Sequence, residues 1–478
     1  MRRIIGLVAI VAIGAGLAAC IPTFPSGATA TTTVVEGVPV LRWPAATITG
    51  DGEEVGGYRV EVDGSLVATI GAPATACTLL NLSAGVQHSI RITSVSAKGA
   101  GSQGLAEGVL TATFTPTSSF GPGGSAGCSA THDADADGLL DAVETGTGAF
   151  VSAGDTGTSP VRADSDGDGL RDGDEVLGTA LGLDLPSFGV SPNHRDLLFE
   201  FDWFDDANDC GAHTHRPSAA AIARLTDAFA AAPVANPDGV DGVRVVVDAG
   251  QGGALTGGNL VADADGVLSS GVNSVEYTTL KQANFAANRE GLFHYVLGVH
   301  RYNQTSNSSG QAEIDGDDLI VSLQCFSSTV NTANTVMHEV GHNLGLRHGG
   351  QFDLPNYKPN YNSVMNYRFQ FPGIDVTCDA VGDGVLAYST GDRVAVDERA
   401  VVEAAGVCGT PLDLDGDGSI DAAPYVRDFT QDGFYTNLVD WDDWSAMDLS
   451  AIDDADGASP DGRLQAPEVV DEQPVPQP

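Results

Sequence analysis

Residues 338–348 read His-Glu-Val-Gly-His-Asn-Leu-Gly-Leu-Arg-His, an H-E-x-x-H-x-x-G-x-x-H run. In a helix, side chains four apart share a face, so His338 and His342 project together and can hold one ion between them. Glu339 lies beside them. Gly345 suits the left-handed backbone that ends a helix, so the chain turns back and His348 arrives as a third imidazole. A metal held by three protein ligands keeps its fourth position for water, which separates a catalytic zinc from a structural one. The chain holds 10 His in 478 residues. Chance assembly of three of them with a Glu and a Gly at these offsets is an event of about one chain in ten thousand or fewer. The bland alternative is a core helix whose imidazoles are satisfied by hydrogen bonds.

A second stretch agrees with the first. In Asn362-Ser363-Val364-Met365-Asn366-Tyr367, the methionine stands seventeen residues after His348. Together the two motifs resemble the metzincin zinc endopeptidases, in which a methionine turn lays a soft apolar floor beneath the zinc-binding imidazoles. The resemblance covers residues 193 to about 375. It implies a mixed twisted α/β sheet packed on the active-site helix, zinc on His338, His342 and His348, Glu339 as general base, and an extended peptide substrate paired with a sheet edge. Leu319–Leu323 or the run before it is the candidate edge. Tyr367, two residues after Met365, is similar to the tyrosine that astacin-like and serralysin-like members place near the metal. That likeness implies a phenol able to hydrogen-bond the developing oxyanion.

The chain starts Met1-Arg2-Arg3, followed by an apolar run from Ile4 to Ala19. Leu17-Ala18-Ala19-Cys20 resembles a bacterial lipobox, which implies a signal peptide over 1–19, acylation of Cys20 and attachment to a membrane through that lipid. A retained signal anchor is the other reading of the same run. The lipobox places the rest of the chain outside the cytoplasm, and Ile21, which is not Asp, favours the outer membrane or cell surface. Six further cysteines can pair in an oxidising compartment. Sequence proximity suggests Cys77 with Cys128, Cys210 with Cys325, and Cys378 with Cys408; Cys210 is alternatively a thiolate that blocks the zinc. A net charge of −42, from 64 acidic against 22 basic residues, excludes nucleic acid as a natural partner and favours cations. The oligomeric state is not legible.

Residues 20–31 read as a flexible tether. From 32 to 118, short apolar runs between Gly and Asp turns predict a β-sandwich. Leu41-x-Trp43, Gly57-Tyr58-x-Val60, Leu82, Ile90-x-Ile92 and Gly99-x-Gly101 resemble a fibronectin type III module, with His88 where that family has its corner tyrosine. The resemblance implies a spacer or binding module; a pro-domain is also open. Residues 129–185 carry two twelve-position calcium loops. Asp133, Asp135, Asp137, Asp141 and Glu144 fill the first, around Gly138; Asp164, Asp166, Asp168, Asp172 and Glu175 fill the second, around Gly169. Alternate carboxylates wrap a calcium ion, the Gly makes the sharp turn, and the last Glu binds through both oxygens. These loops resemble EF-hand-like loops and thrombospondin type 3 repeats; a solvated acidic linker is the alternative.

The catalytic segment, 193–375, is expected to run strand Arg195–Trp203, helix Pro217–Ala231, strand Val243–Asp248, apolar strands at Phe293–Val299 and Leu319–Leu323, and helix Asn334–Leu346. His213, His215, His294 and His300 read as loop or sheet residues rather than ligands. Residues 376–452 form a smaller subdomain, where Asp413, Asp415, Asp417 and Asp421 begin a possible third calcium loop that lacks the final Glu and could be completed by Asp428. Residues 453–478 are acidic and Pro-rich, expected to be disordered. The fold class expected is multidomain: β-sandwich, calcium-loop segment and α/β zinc-protease domain. Two other function classes remain open on sequence, a calcium-dependent surface adhesion protein using the zinc fold as a scaffold, and a zinc hydrolase of non-peptide amides.

Overall fold

The computed structural model describes residues 22–48, 54–97, 108–263 and 265–451, with the backbone of 468–471. The signal segment, Cys20 and the remainder of the tail lie outside these residues. The chain is sheet-rich and divides into two units, residues 1–146 with 159–161, and residues 147–158 with 162–478. This boundary falls inside 129–185, so the loop starting at Asp133 belongs to the first unit and the loop starting at Asp164 to the second. Among the described residues, no helix is long and apolar enough to cross a membrane.

In the first unit, apolar residues alternate along the strands, which buries one face of each sheet. Thr31–Val35, Val38–Arg42, Ala76–Leu80 and Gly127–Ser129 form one antiparallel sheet in that order. Ser65–Gly71, Val55–Val62, His88–Ser96 and Val109–Phe114 form the other. Trp43, Tyr58, Val60, Leu79 and Ile92 lie in one shared core. His88 places Nε2 3.3 Å from the Ser83 carbonyl and Nδ1 2.7 Å from Asp63 Oδ2, so its imidazole ties its strand to the two turns before it.

The second unit is built on a sheet ordered Arg244–Asp248, Asp196–Trp203, His294–Gly298, Asp318–Val321, Gly310–Ile314, Glu468–Asp471. The first four are mutually parallel, Gly310–Ile314 runs antiparallel to them, and Glu468–Asp471 runs antiparallel to Gly310–Ile314. Strands covered on both faces read as near-continuous apolar runs, and all eight residues of Asp196–Trp203 are buried. Leu197, Phe199 and Phe201 join Leu225, Phe229, Met337 and Val340 in one core, while Leu198, Tyr295, Leu297 and Ile320 join Tyr277 and Phe285 in another.

Several expected bounds move. The signature helix runs Thr329–Asn343, five residues earlier than expected, because Ser328 caps it by accepting the Asn331 N–H at 3.1 Å. Its polar, β-branched first turns gave no helical signal. Helix Ala219–Ala230 starts after the cap Ser218 in the same way. Helix Val275–Asn284 and strand Gly310–Ile314 were not expected at all. Leu319–Leu323 and the run before it, Phe293–Val299, are corrected as candidate edges: Asp318–Val321 and His294–Gly298 are each flanked on both sides, and Gly310–Ile314, with Glu468–Asp471 beyond it, lies outside them. Trp444, expected in a separate subdomain, packs its ring 5.7 Å from Phe229 and 5.0 Å from Tyr388 in the main core. The cysteines pair as 77–128, 210–325 and 378–408, with Cα separations of 5.4, 5.9 and 6.0 Å. Cys210 is therefore not a blocking thiolate.

Candidate metal centre

The signature helix carries His338, Glu339 and His342 on its buried side, each with no solvent exposure. The helix ends in a Schellman turn: Leu346 N–H donates to Gly341 O at 2.8 Å, Gly345 N–H donates to His342 O at 2.9 Å, and Gly345 has φ +90°. A Cβ on Gly345 would lie 2.6 Å from Asp315 Oδ1, so space and backbone both demand glycine. The turn swings His348 back, leaving its ring centroid 5.4 Å from His338 and 4.9 Å from His342. One ligand atom from each of the three lies within 4.8 Å of the others.

The rings are oriented from outside. His338 Nδ1 lies 2.6 Å from the Val364 carbonyl and His342 Nδ1 2.7 Å from the Leu346 carbonyl. A carbonyl only accepts, so both Nδ1 atoms carry the hydrogen and both Nε2 atoms keep their lone pairs. Metal-ligating histidines are fixed in this way by their second nitrogen. Three imidazoles, two of them oriented through Nδ1 by backbone carbonyls, are a donor set that fits zinc.

Met365 is fully buried against the helix, where any side chain on Gly341 would overlap its sulfur. Val364 in the same turn supplies the carbonyl that orients His338. Tyr367 lies with its ring 4.4 Å from His348 and 5.9 Å from His338. Gly310, at the start of strand Gly310–Ile314, approaches so closely that a Cβ there would overlap Glu339 Oε1. Asn343, the last residue of the helix, donates to Glu313 O and Asp318 O and meets His294 Nδ1 at 3.3 Å. Burial lowers the His294 pKa to about 4, so it sits in the sheet as a neutral packing residue.

The two twelve-position loops repeat one hydrogen-bond plan. Position one accepts from position four at 2.6 Å in both, through Asp133 and Asp164, and from the glycine at position six at 3.1 and 2.9 Å. Asp141 and Asp172 accept the N–H of position two at 2.9 and 2.8 Å, which braces each loop. In the second loop, both carboxylate oxygens of Asp166 and of Glu175 are buried without a hydrogen-bond partner. Burial, with Asp164, Asp196 and Asp172 nearby, pushes Asp166 up to about 8; burial and neighbouring carboxylates raise Asp168 and Glu175 as well. In the first loop, burial and Asp137 raise Asp135 to about 6. Asp196, whose N–H donates to Asp168 Oδ2 at 2.6 Å, adds a carboxylate that the sequence did not assign to the loop.

The Asp413 loop follows the same plan at Asp413 and Asp417, but Asp428 does not complete it. Glu403 braces it, accepting from Leu414, Asp415 and Asp421. Asp428 heads a fourth turn of the same design, accepting from Gln431 and Gly433 and braced by Glu398 through Phe429, Thr430 and Thr436. The D-x-T-x-D-G run at 428–433 was its sequence signal.

No protein-family model matches the chain, and no curated protein matches it either.

Proposed function

We propose that the chain is a zinc-dependent endopeptidase of metzincin type, with structural calcium in its acidic loops, exported and held to a membrane by lipid on Cys20. The observation that carries this reading is the convergence of His338, His342 and His348 around the Glu339 carboxylate, over Met365. Zinc held by the three imidazoles supplies Lewis acidity, making a water more acidic and a peptide carbonyl more electrophilic. Glu339 takes the water proton and passes it to the leaving amine, a role its burial beside the imidazoles serves. An adhesion scaffold would need the histidines alone, so the carboxylate beside them favours hydrolysis. The strand orders of the first unit support a fibronectin type III-like module. The reading is tested by incubating the full chain with a peptide library: internal cleavage that a zinc chelator stops and added zinc restores is expected, and its absence refutes the proposal. An acyl mass on the N-terminal peptide checks the anchor.

Tyr367 is assigned a hydrogen bond to the oxyanion, supported by its ring beside His348. Tyr367→Phe keeps that ring and removes the hydroxyl. A loss of about 10- to 1,000-fold in kcat with little change in KM is expected. A variant that cleaves at the parental rate reduces Tyr367 to packing.

An extended substrate would pair with the outer edge of Gly310–Ile314, the strand whose first residue touches Glu339. That edge already carries Glu468–Asp471, antiparallel, with Glu468 opposite Ile314 and Asp471 opposite Gln311. The tail strand thus heads toward Gly310. Deleting 453–478 is expected to lower KM for peptides roughly 10-fold, by freeing a strand-addition site. Unchanged or raised KM in the truncated protein removes the tail from the cleft.

A further inference from the structure

A second group of metal-type ligands lies in the second unit, built from residues that sequence reading set aside. Strand Asp205–Asp206 pairs with His213–Thr214, bringing Asp206 opposite His213. The ladder continues as His215 N–H donates to Phe204 O at 3.0 Å. His300, two residues beyond strand His294–Gly298, enters from the sheet and is anchored by its N–H on Gly266 O at 2.9 Å. The side chains of Asp206, His215 and His300 are 2, 3 and 0 % exposed, and that of His213 is 17 % exposed.

Three of the four donor–donor distances have the spacing of a small coordination shell, and the fourth is a direct Asp206–His215 contact that an ion would open. Asp206 Oδ2 lies 2.6 Å from His215 Nε2 and 3.6 Å from His213 Nε2. Asp206 Oδ1 lies 3.4 Å from His300 Nδ1, and His300 Nδ1 lies 3.3 Å from His213 Nε2. A tetrahedral zinc with bonds of about 2.0–2.1 Å has ligands about 3.3 Å apart.

The hydrogen bonding around these rings argues for a cation between them. His213 Nδ1 lies 2.7 Å from the Gly211 carbonyl, which only accepts, so that nitrogen carries the hydrogen. His300 Nε2 faces Asp209 Oδ2 at 3.2 Å, again an acceptor. The two nitrogens that face each other at 3.3 Å then need a proton or a metal ion between them, and the placement of His215 and Asp206 around the same point suits a metal ion. Outer acceptors that fix the tautomer of a ligating imidazole are the usual support of a metal site.

We propose that Asp206, His213, His215 and His300 bind a second transition-metal ion, zinc by the donor set of three imidazoles and one carboxylate. With all four positions taken by protein, the site is structural rather than catalytic. It ties the hairpin at 205–214 to the segment leaving the central strand, beside the Cys210–Cys325 bridge.

The test is metal content of the full chain, loaded with zinc in excess calcium so that the acidic loops stay occupied, and washed before elemental analysis. Two zinc equivalents are expected in the parent, one in His338→Ala/His342→Ala, and one in His213→Ala. His213 is the preferred target because it is the most exposed of the four; if the variant does not fold, cobalt loading of His338→Ala/His342→Ala gives the same answer through the absorption of a tetrahedral ion. No zinc and no tetrahedral cobalt spectrum in His338→Ala/His342→Ala overturns the second site, as does a parent whose single zinc survives His213→Ala. A single zinc lost in His213→Ala but kept in His338→Ala/His342→Ala would leave this site standing and refute the catalytic one. Retention of both equivalents in His213→Ala would mean that the group is a hydrogen-bonded cluster sharing a proton.

Discussion

Glu339→Ala is expected to lower kcat by about two to four decades while leaving the zinc content of the chain unchanged. The reason is that Glu339 touches the centre from the same helix turn as His338, but the metal-binding nitrogens belong to His338, His342 and His348. Removing the carboxylate takes away the group that accepts the water proton, and general-base catalysis is worth about 10²- to 10⁴-fold. Gly310→Ala provides an independent check. A methyl group there would displace Glu339 Oε1 and also crowd the Ile320 carbonyl, while meeting no histidine among its nearest atoms, so a lowered kcat with normal zinc is expected again. Undiminished proteolysis by Glu339→Ala would sink the hydrolytic reading, and loss of zinc in it would make the carboxylate a ligand or a structural prop.

Withdrawing calcium at fixed zinc is expected to lower the melting temperature by roughly 4 °C for each occupied site in the second unit. The magnitude follows from an ion at about a hundred times its dissociation constant, which stabilises the folded state by about 2.7 kcal/mol per site, acting on a unit of this size. The physical cause is most visible in the loop at Asp164. Asp166 and Glu175 are buried with their four carboxylate oxygens lacking hydrogen-bond partners, and Asp168 and Asp196 crowd them. So many buried negative charges repel one another unless a divalent cation supplies the counter-charge. Calorimetry with and without calcium measures the shift, and limited proteolysis of residues 147–185 locates it. A melting curve indifferent to calcium would make these loops acidic linkers held by their backbone hydrogen bonds alone.

The parts of this protein that were legible in the sequence are those whose geometry is local. His338, Glu339 and His342 lie within one helical turn and a half, and Gly345 with its positive φ sets His348 three residues further on, so an eleven-residue run is enough to bring the three imidazoles of the proposed zinc site together. The acidic loops are read the same way, because position within twelve residues decides which carboxylates could face a common ion. What the sequence did not reveal lies at long separation. Asp196 joins the Asp164 loop only because its strand begins there; Glu403, not Asp428, braces the Asp413 loop; and His300 reaches Asp206 only through the parallel pairing of His294–Gly298 with Asp196–Trp203. The strand beside Glu339 is Gly310–Ile314, a Gly-Gln-Ala-Glu-Ile run with no strong strand signal, whose place is set by its antiparallel partners. Local chemistry and helix periodicity specify a donor set within the chain, but pairing between distant strands is chosen by burial of whole sheet faces, which only the folded structure decides.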